Sequence, residues 1–212
     1  MAGLPVFDNH DSRIRYVHLL LERDLENLPQ YPLPEGYRFV FYRDGDRDAW
    51  IEIEKGAREF ETTEQGLDAW QRYYAAHEAE LLGRMVFVVN AAGQKVATAT
   101  AFYDVTGEDR SGDGWLHWVA VRREEQGRGL SKPLIAYTLS RLRELGYTHA
   151  KIPTQTNTWL ACKIYLDFGF RPVPENAVES RLGWQILKRL TGHPALAQFA
   201  AAADEDVFGE KN

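Results

Sequence analysis

Gln126-Gly127-Arg128-Gly129-Leu130-Ser131 is a hexamer with two glycines and one arginine. It follows Trp115 to Val121, an apolar run rich in Trp and Val that reads as a strand. It precedes Leu134, Leu139, Leu142 and Leu145, which lie along one side of a helix. Strand, glycine turn and helix N-terminus together hold phosphate. Successive backbone N–H groups converge there, and the helix dipole adds about half a positive charge. Glycine lets the main chain approach a ligand with no side chain between them. Arg128 can add a charge-assisted contact or simply stand in solvent. The hexamer fits neither G-x-x-x-x-G-K-[ST] nor G-x-G-x-x-G, which argues against a plain nucleotide-phosphate binder.

Other residue types bear chemistry too. Strand alternation places His117 on the face of Val119 and Val121. An imidazole with an ordinary pKa of about 6.5 suits general-base work near neutral pH. A hydrogen-bonded core histidine is an equal reading of the same residue. Glu54, Glu59 and Glu61 form an acidic cluster, partly offset by Arg58. Trp50, Phe60, Trp70 and Tyr73 lie close by in the chain. The acidic residues could draw in a cationic amine and the aromatics line its pocket, but such a charge cluster is usually a solvated face, and the helical spacing places most of the aromatics in the core. Cys162 has no base signature beside it and reads as a buried thiol, not a nucleophile.

Composition narrows the classes. The chain has 212 residues, 44% apolar and 26% charged, as an ordinary globular domain has. A net charge of −6 argues against a nucleic-acid or anionic-membrane surface. The single cysteine rules out an internal disulfide and fits a reducing, cytoplasmic setting. The N-terminus has no basic segment followed by an apolar run, so no signal peptide is read. The longest apolar runs, such as Met85 to Val89, are too short to span a bilayer. The six histidines are scattered, none at metal-ligand spacing, so no metal is expected.

The elements that must position these residues follow in order. Residues 1–13 read as a polar arm and Ile14 to Glu22 as an edge strand. Asn27 to Gly36, with three prolines and a glycine, is a connector. Tyr37 to Arg43 is a strand. Asp46 can cap a helix from Arg47 to about Ala57. Thr62 and Gln65 form a capping box for a second helix, with Leu67, Trp70, Tyr74 and Leu81 on its apolar side. Met85 to Asn90 and Val96 to Val105 form a hairpin. After the central strand comes a helix from about Gly129 to Leu145, ended by Gly146; Pro133 is tolerable in its first turn. His149 to Gln155 is a strand, Trp159 to Phe168 a helix, and Phe170 to Val173 a further strand. Glu179 to Leu190 is a helix, and the tail from Ala195 should fray. The domain organisation expected is an N-terminal extension over 1–36, a main domain over 37–173, and a C-terminal helix and tail over 174–212. Strands first, then alternating strand and helix, describe a mixed α/β fold.

The hexamer resembles the pyrophosphate loop of the GNAT acyltransferase superfamily, [QR]-x-x-G-x-[GA]. Gln126 and Gly129 match; Ser131 stands where the family has Gly or Ala. A second block, Ala161-Cys162-Lys163-Ile164-Tyr165-Leu166-Asp167-Phe168-Gly169-Phe170, resembles the family's A-x-x-[LI]-Y-x-x-x-G-F. The two blocks stand in the family's order, and the resemblance covers about Tyr37 to Pro172.

The resemblance implies a mixed, mostly antiparallel central sheet of about six or seven strands, splayed at the middle, with helices on both faces. Acetyl-CoA would wedge between the central strand and its successor. Main-chain groups at Val119 and Val121 would face the thioester and pantetheine. Gln126, Gly127, Arg128, Gly129, Leu130 and Ser131 would hold the pyrophosphate. Tyr165 stands where the family carries the phenol that protonates the leaving thiolate. The family's CoA-contacting Asn lies three residues before the Ala; here that is Thr158, with Asn157 one earlier, and either can serve. His117 is the candidate base. The activity implied is acetyl transfer from acetyl-CoA to an amine by direct attack, the amine being a small molecule or a protein group. The alternative is a catalytically inactive CoA-binding sensor or scaffold. The C-terminal helix leaves a homodimer open.

Overall fold

The computed structural model describes residues 10–173 and 180–208. In chain order its strands are β1 His18–Asp24, β2 Arg38–Phe41, β3 Met85–Val89, β4 Lys95–Phe102, β5 Gly114–Val121, β6 His149–Gln155 and β7 Arg171–Pro172. The helices are α1 Arg47–Gly56, α2 Thr63–Tyr73, α3 Glu78–Leu81, α4 Ser131–Glu144, α5 Trp159–Asp167, α6 Arg181–Thr191 and α7 Asp204–Val207. The chain divides into two compact units. Among the described residues, one holds 25–150 and the other holds 10–24 with 151–173 and 180–208.

In the first unit β2, β3, β4 and β5 form an antiparallel run of neighbours. All five residues of β3 are buried, so it reads as a continuous apolar run, as a strand covered on both faces must. Met85 and Phe87 face a core made with Tyr42, Trp50, Ile53, Trp70, Tyr74 and Phe102. α4 packs on β3, β4 and β5, burying Leu134, Ile135, Leu139 and Leu142. Each large side chain so buried stabilises the unit by about 1.5–3 kcal/mol before its entropy cost.

Local signals set several element ends. Thr62 Oγ1 accepts from the Gln65 N–H at 3.3 Å, and Gln65 Oε1 accepts from the Thr62 N–H, which completes the capping box. Gly146, at φ +94°, ends α4 in a conformation that an L side chain resists. Asp46 does occupy the N-cap of α1, but its carboxylate does not cap the helix. It accepts from the Arg43 N–H at 2.9 Å and pairs with Lys95 instead. Leu67 is 39% exposed rather than part of the apolar side of α2; that side is Gly66 and Trp70. α2 stops at Tyr73; Tyr74 enters the core from the turn that follows and Leu81 from α3.

In the second unit the strand order is β6, β1, β7, with Leu21 opposite Pro172. β1 is therefore flanked on both sides and is not the edge strand its sequence suggests. Leu19 and Leu21 are fully buried. Residues 10–24 belong to the same compact unit as residues 151–173. The tail does not fray over its described part. Val207 is fully buried, Ile14 bridges to Phe208, and Arg15 N–H donates to the Val207 carbonyl at 2.8 Å. The helix expected over 179–190 is α6, and residues 174–179, including its expected start, lie outside the described residues, as do 1–9 and 209–212. None of the described helices is long and apolar enough to cross a membrane.

Candidate functional site

In the first unit β5 carries a bulge at its centre. Its register with β4 passes from Thr100–His117 to Thr98–Ala120. Trp118 and Val119 together therefore oppose the single residue Ala99. Trp118 takes φ +49° to make the extra step. For a bulky side chain such a backbone costs on the order of 1–3 kcal/mol, and it persists because the surroundings hold it. The aromatic neighbours supply that hold. Trp118 lies 5.5 Å from Trp50, 5.3 Å from Phe60 and 5.5 Å from Tyr73, ring centre to ring centre.

The bulge corrects one expectation directly. The rings of His117 and Trp118 pack in the same aromatic cluster, on the side of the sheet that Ala120 also faces. Alternation then turns Val119 to the opposite side, so His117 and Val119 do not share a face. His117 is buried among Tyr73, Tyr74, Phe102 and Trp115. Its Nδ1 is buried with no hydrogen-bond partner. Burial pushes its pKa down to about 4, against the opposing pull of Asp104. The ring is neutral at pH 7, and any rate limb it governs falls near pH 4 rather than between 6 and 8.

A short 3-10 turn, Arg123–Glu125, leads from β5 into the glycine hexamer. Gln126 donates its side-chain amide to the Val121 carbonyl at 3.1 Å. Gly127 and Gly129 take φ +74° and +78°. A Cβ at Gly127 would meet nothing within 4 Å, and at Gly129 only Pro34 at 3.9 Å. Backbone conformation, not crowding, is what calls for glycine at both. Leu130 is buried and anchors the turn, and α4 opens at Ser131 with no side chain capping it. No N-cap side chain satisfies its first N–H groups.

Arg128 is held in place. Its Nε lies 3.2 Å from Glu125 Oε2, and its guanidinium also donates to the Glu124 carbonyl at 3.3 Å. Tyr37 donates its hydroxyl to the same Glu125 oxygen at 2.6 Å. Glu125 and Tyr37 escaped the sequence reading. Glu125 stands inside the turn, but Tyr37 is far away in the chain and nothing local points to it.

The second unit carries the other motif. Tyr165 lies on α5, 6% exposed, with its ring 6.1 Å from Phe170. The Tyr165 carbonyl accepts from Phe168 and Phe170 N–H groups at 3.1 Å each. Gly169, at φ +88°, makes that return possible. Thr158 is buried and donates its hydroxyl to the Gln155 carbonyl at 2.9 Å. Asn157, beside it, holds a buried side-chain oxygen with no hydrogen-bond partner. Cys162 sits beneath this turn, its thiol pushed up to about 11 by burial, so it carries no thiolate at neutral pH.

The acidic cluster separates by burial. Glu54 is fully buried, Glu59 half-buried and Glu61 exposed. Among the described residues no three His, Cys, Asp or Glu side chains group as metal ligands.

A bulged strand, a double-glycine turn and a helix start follow one another here within a mixed α/β fold. The family model for the GNAT acetyltransferases matches residues 47–170. The chain belongs to the GNAT family. Among solved structures, it is similar to a GCN5-related N-acetyltransferase from Sphaerobacter thermophilus, with a TM-score of 0.59 and 21% identity over 76% of this chain and 49% of that one. It is also similar to a GNAT-family acetyltransferase from Colwellia psychrerythraea, with a TM-score of 0.57 and 13% identity over 78% of this chain and 56% of that one. At those identities the likeness establishes the α/β GNAT fold. The chain spans about half the length of these structures. Comparison with curated proteins finds no match.

Proposed function

We propose that the protein is an N-acetyltransferase that moves an acetyl group from acetyl-CoA to an amine, the amine attacking the thioester directly. The observation that carries this reading is the backbone of Gly127 and Gly129. Two positive-φ glycines stand just before a helix N-terminus that no side chain caps. That arrangement binds a pyrophosphate.

The remaining roles follow the family's motif. Gln126 to Ser131 hold the CoA pyrophosphate, with Arg128 and the Ser131 backbone contributing charge and N–H donors. Main chain at Val119 and Val121 receives the pantetheine and thioester. The bulge supports this, because it releases Val119 from a regular ladder partner. Asn157, with its unpartnered buried oxygen, is favoured over Thr158 for the CoA arm, since the Thr158 hydroxyl is already spent on Gln155. Tyr165 protonates the departing thiolate. His117 is neutral and able to accept a proton, but its depressed basicity makes it a weak general base.

The reading is tested by calorimetric titration with acetyl-CoA, then by thiol release on a panel of amines. Binding with acyl transfer supports the enzyme. Binding with no transfer to any amine supports a CoA-binding sensor or scaffold. No binding overturns both.

A further inference from the structure

Glu125 ends the 3-10 turn that leads into the glycine hexamer, and its residue is 8% exposed. Beside a pyrophosphate, a carboxylate repels the ligand. Two protein groups engage it. Tyr37 donates its hydroxyl to Glu125 Oε2 at 2.6 Å, and Arg128 Nε lies 3.2 Å from the same oxygen. Arg128 Nη1 donates to the Tyr37 hydroxyl at 3.4 Å, which closes a ring of three side chains. Arg128 Nη2 donates to the Glu124 carbonyl at 3.3 Å. Each guanidinium nitrogen thus has a protein partner, although the arginine side chain is 51% exposed. A guanidinium offers five N–H groups, so some remain for a ligand.

Tyr37 is itself fixed. Its N–H donates to the Pro34 carbonyl at 3.3 Å, with Gly36 at φ +85° between them, and the next residue opens β2. The same connector runs along the glycine turn. Pro34 stands 3.9 Å from where a Cβ on Gly129 would be, and the Tyr31 ring centre lies 5.6 Å from Lys132 Nζ. Burial and the hydrogen bond to Glu125 both raise the Tyr37 phenol, so it stays a donor at neutral pH. A free arginine loses its rotamer freedom when the ligand arrives, and that loss is subtracted from affinity. Here folding has already taken it up. A carboxylate that opposes the ligand by charge belongs in the site when it fixes the cation that attracts the ligand.

We propose that Tyr37 and Glu125 are positioning residues for CoA: they lock the Arg128 guanidinium so that its unused N–H groups meet the pyrophosphate with no rotamer search. The inference rests on the acetyltransferase reading and deepens it. Neither residue belongs to the glycine hexamer, and both act through Arg128. Glu125 therefore has two opposed effects, repulsion of the phosphates and restraint of the arginine. The second outweighs the first only while Arg128 is present.

The test is a double-mutant cycle on the full chain, read by calorimetric titration with CoA and, separately, with inorganic pyrophosphate. Tyr37→Phe leaves the charge unchanged. It is expected to weaken CoA binding at least about fivefold in the natural chain and less than about twofold in Arg128→Ala. Glu125→Gln is expected to weaken binding in the natural chain and to tighten it in Arg128→Ala, a reversal of sign that a mere loss of packing does not produce. Thermal midpoints identify the folded variants, and where Tyr37→Phe does not fold the Glu125→Gln arm decides alone. Equal fold losses in both backgrounds, no reversal of sign, or CoA affinity indifferent to Arg128→Ala overturns this inference and leaves the transferase reading standing. Pyrophosphate binding without CoA binding overturns the transferase reading, and the same cycle read with pyrophosphate then decides this one. Binding of neither overturns both.

Discussion

His117 and Trp118 are consecutive residues whose rings both meet Tyr73, at 6.1 Å and 5.5 Å between ring centres. In a regular strand they would point to opposite faces. The bulge at Trp118, with its φ of +49°, turns both to one side. One residue of extra chain therefore fills the aromatic core and, on the other side, leaves a stretch of main chain out of the ladder.

Burial of His117 makes the fold acid-sensitive. Its folded pKa of about 4 lies below the ordinary unfolded value of about 6.5. Between those values the unfolded chain binds more protons, so stability rises with pH through the window. The full contribution is present above about pH 6.5 and is lost as pH falls to about 4, amounting to roughly 3 kcal/mol. Urea midpoints measured at pH 7 and pH 4.5 should differ more for the natural chain than for His117→Leu. Equal differences would show that the ring titrates normally.

Gly129→Asp should weaken acetyl-CoA binding by at least about tenfold. The φ of +78° strains any L side chain, and the new carboxylate repels the pyrophosphate. Calorimetry on the folded variant checks it, and unchanged affinity would remove the hexamer from the CoA site.

Tyr165→Phe keeps the ring against Phe170 and deletes only the hydroxyl. If the phenol protonates the thiolate, turnover falls by about 100-fold or more with acetyl-CoA affinity little changed. A packing role predicts near-normal turnover and a modest drop in thermal midpoint. Both quantities are read on the same variant.

Asn157→Ala and Thr158→Ala should part company. Losing the Asn157 amide, whose buried oxygen has no hydrogen-bond partner, should cut acetyl-CoA affinity several-fold and barely move stability. Losing the Thr158 hydroxyl breaks its bond to Gln155 and should cost about 1 kcal/mol of stability. The reverse pattern would assign the CoA contact to Thr158.

Legibility followed distance along the chain. The Thr62–Gln65 capping box, the glycine stops at Gly146 and Gly169, and the turn from Gln126 to Ser131 are written in a few adjacent residues. Each is a matter of local hydrogen bonds and φ preference, so sequence alone determined them. Tertiary structure decided the rest. The bulge depends on how β5 registers with β4, and nothing in W-L-H-W-V-A-V announces it. Glu54 and Glu61 look alike in the sequence, yet helix packing buries the first and leaves the second in water. Tyr37 meets Glu125 from 88 residues away. β1 looks like an edge strand until β6 and β7 flank it. The physical reason is common to all four. Burial, register and side-chain partners are set by neighbours that only folding brings close, and a residue's type does not say which neighbours those will be.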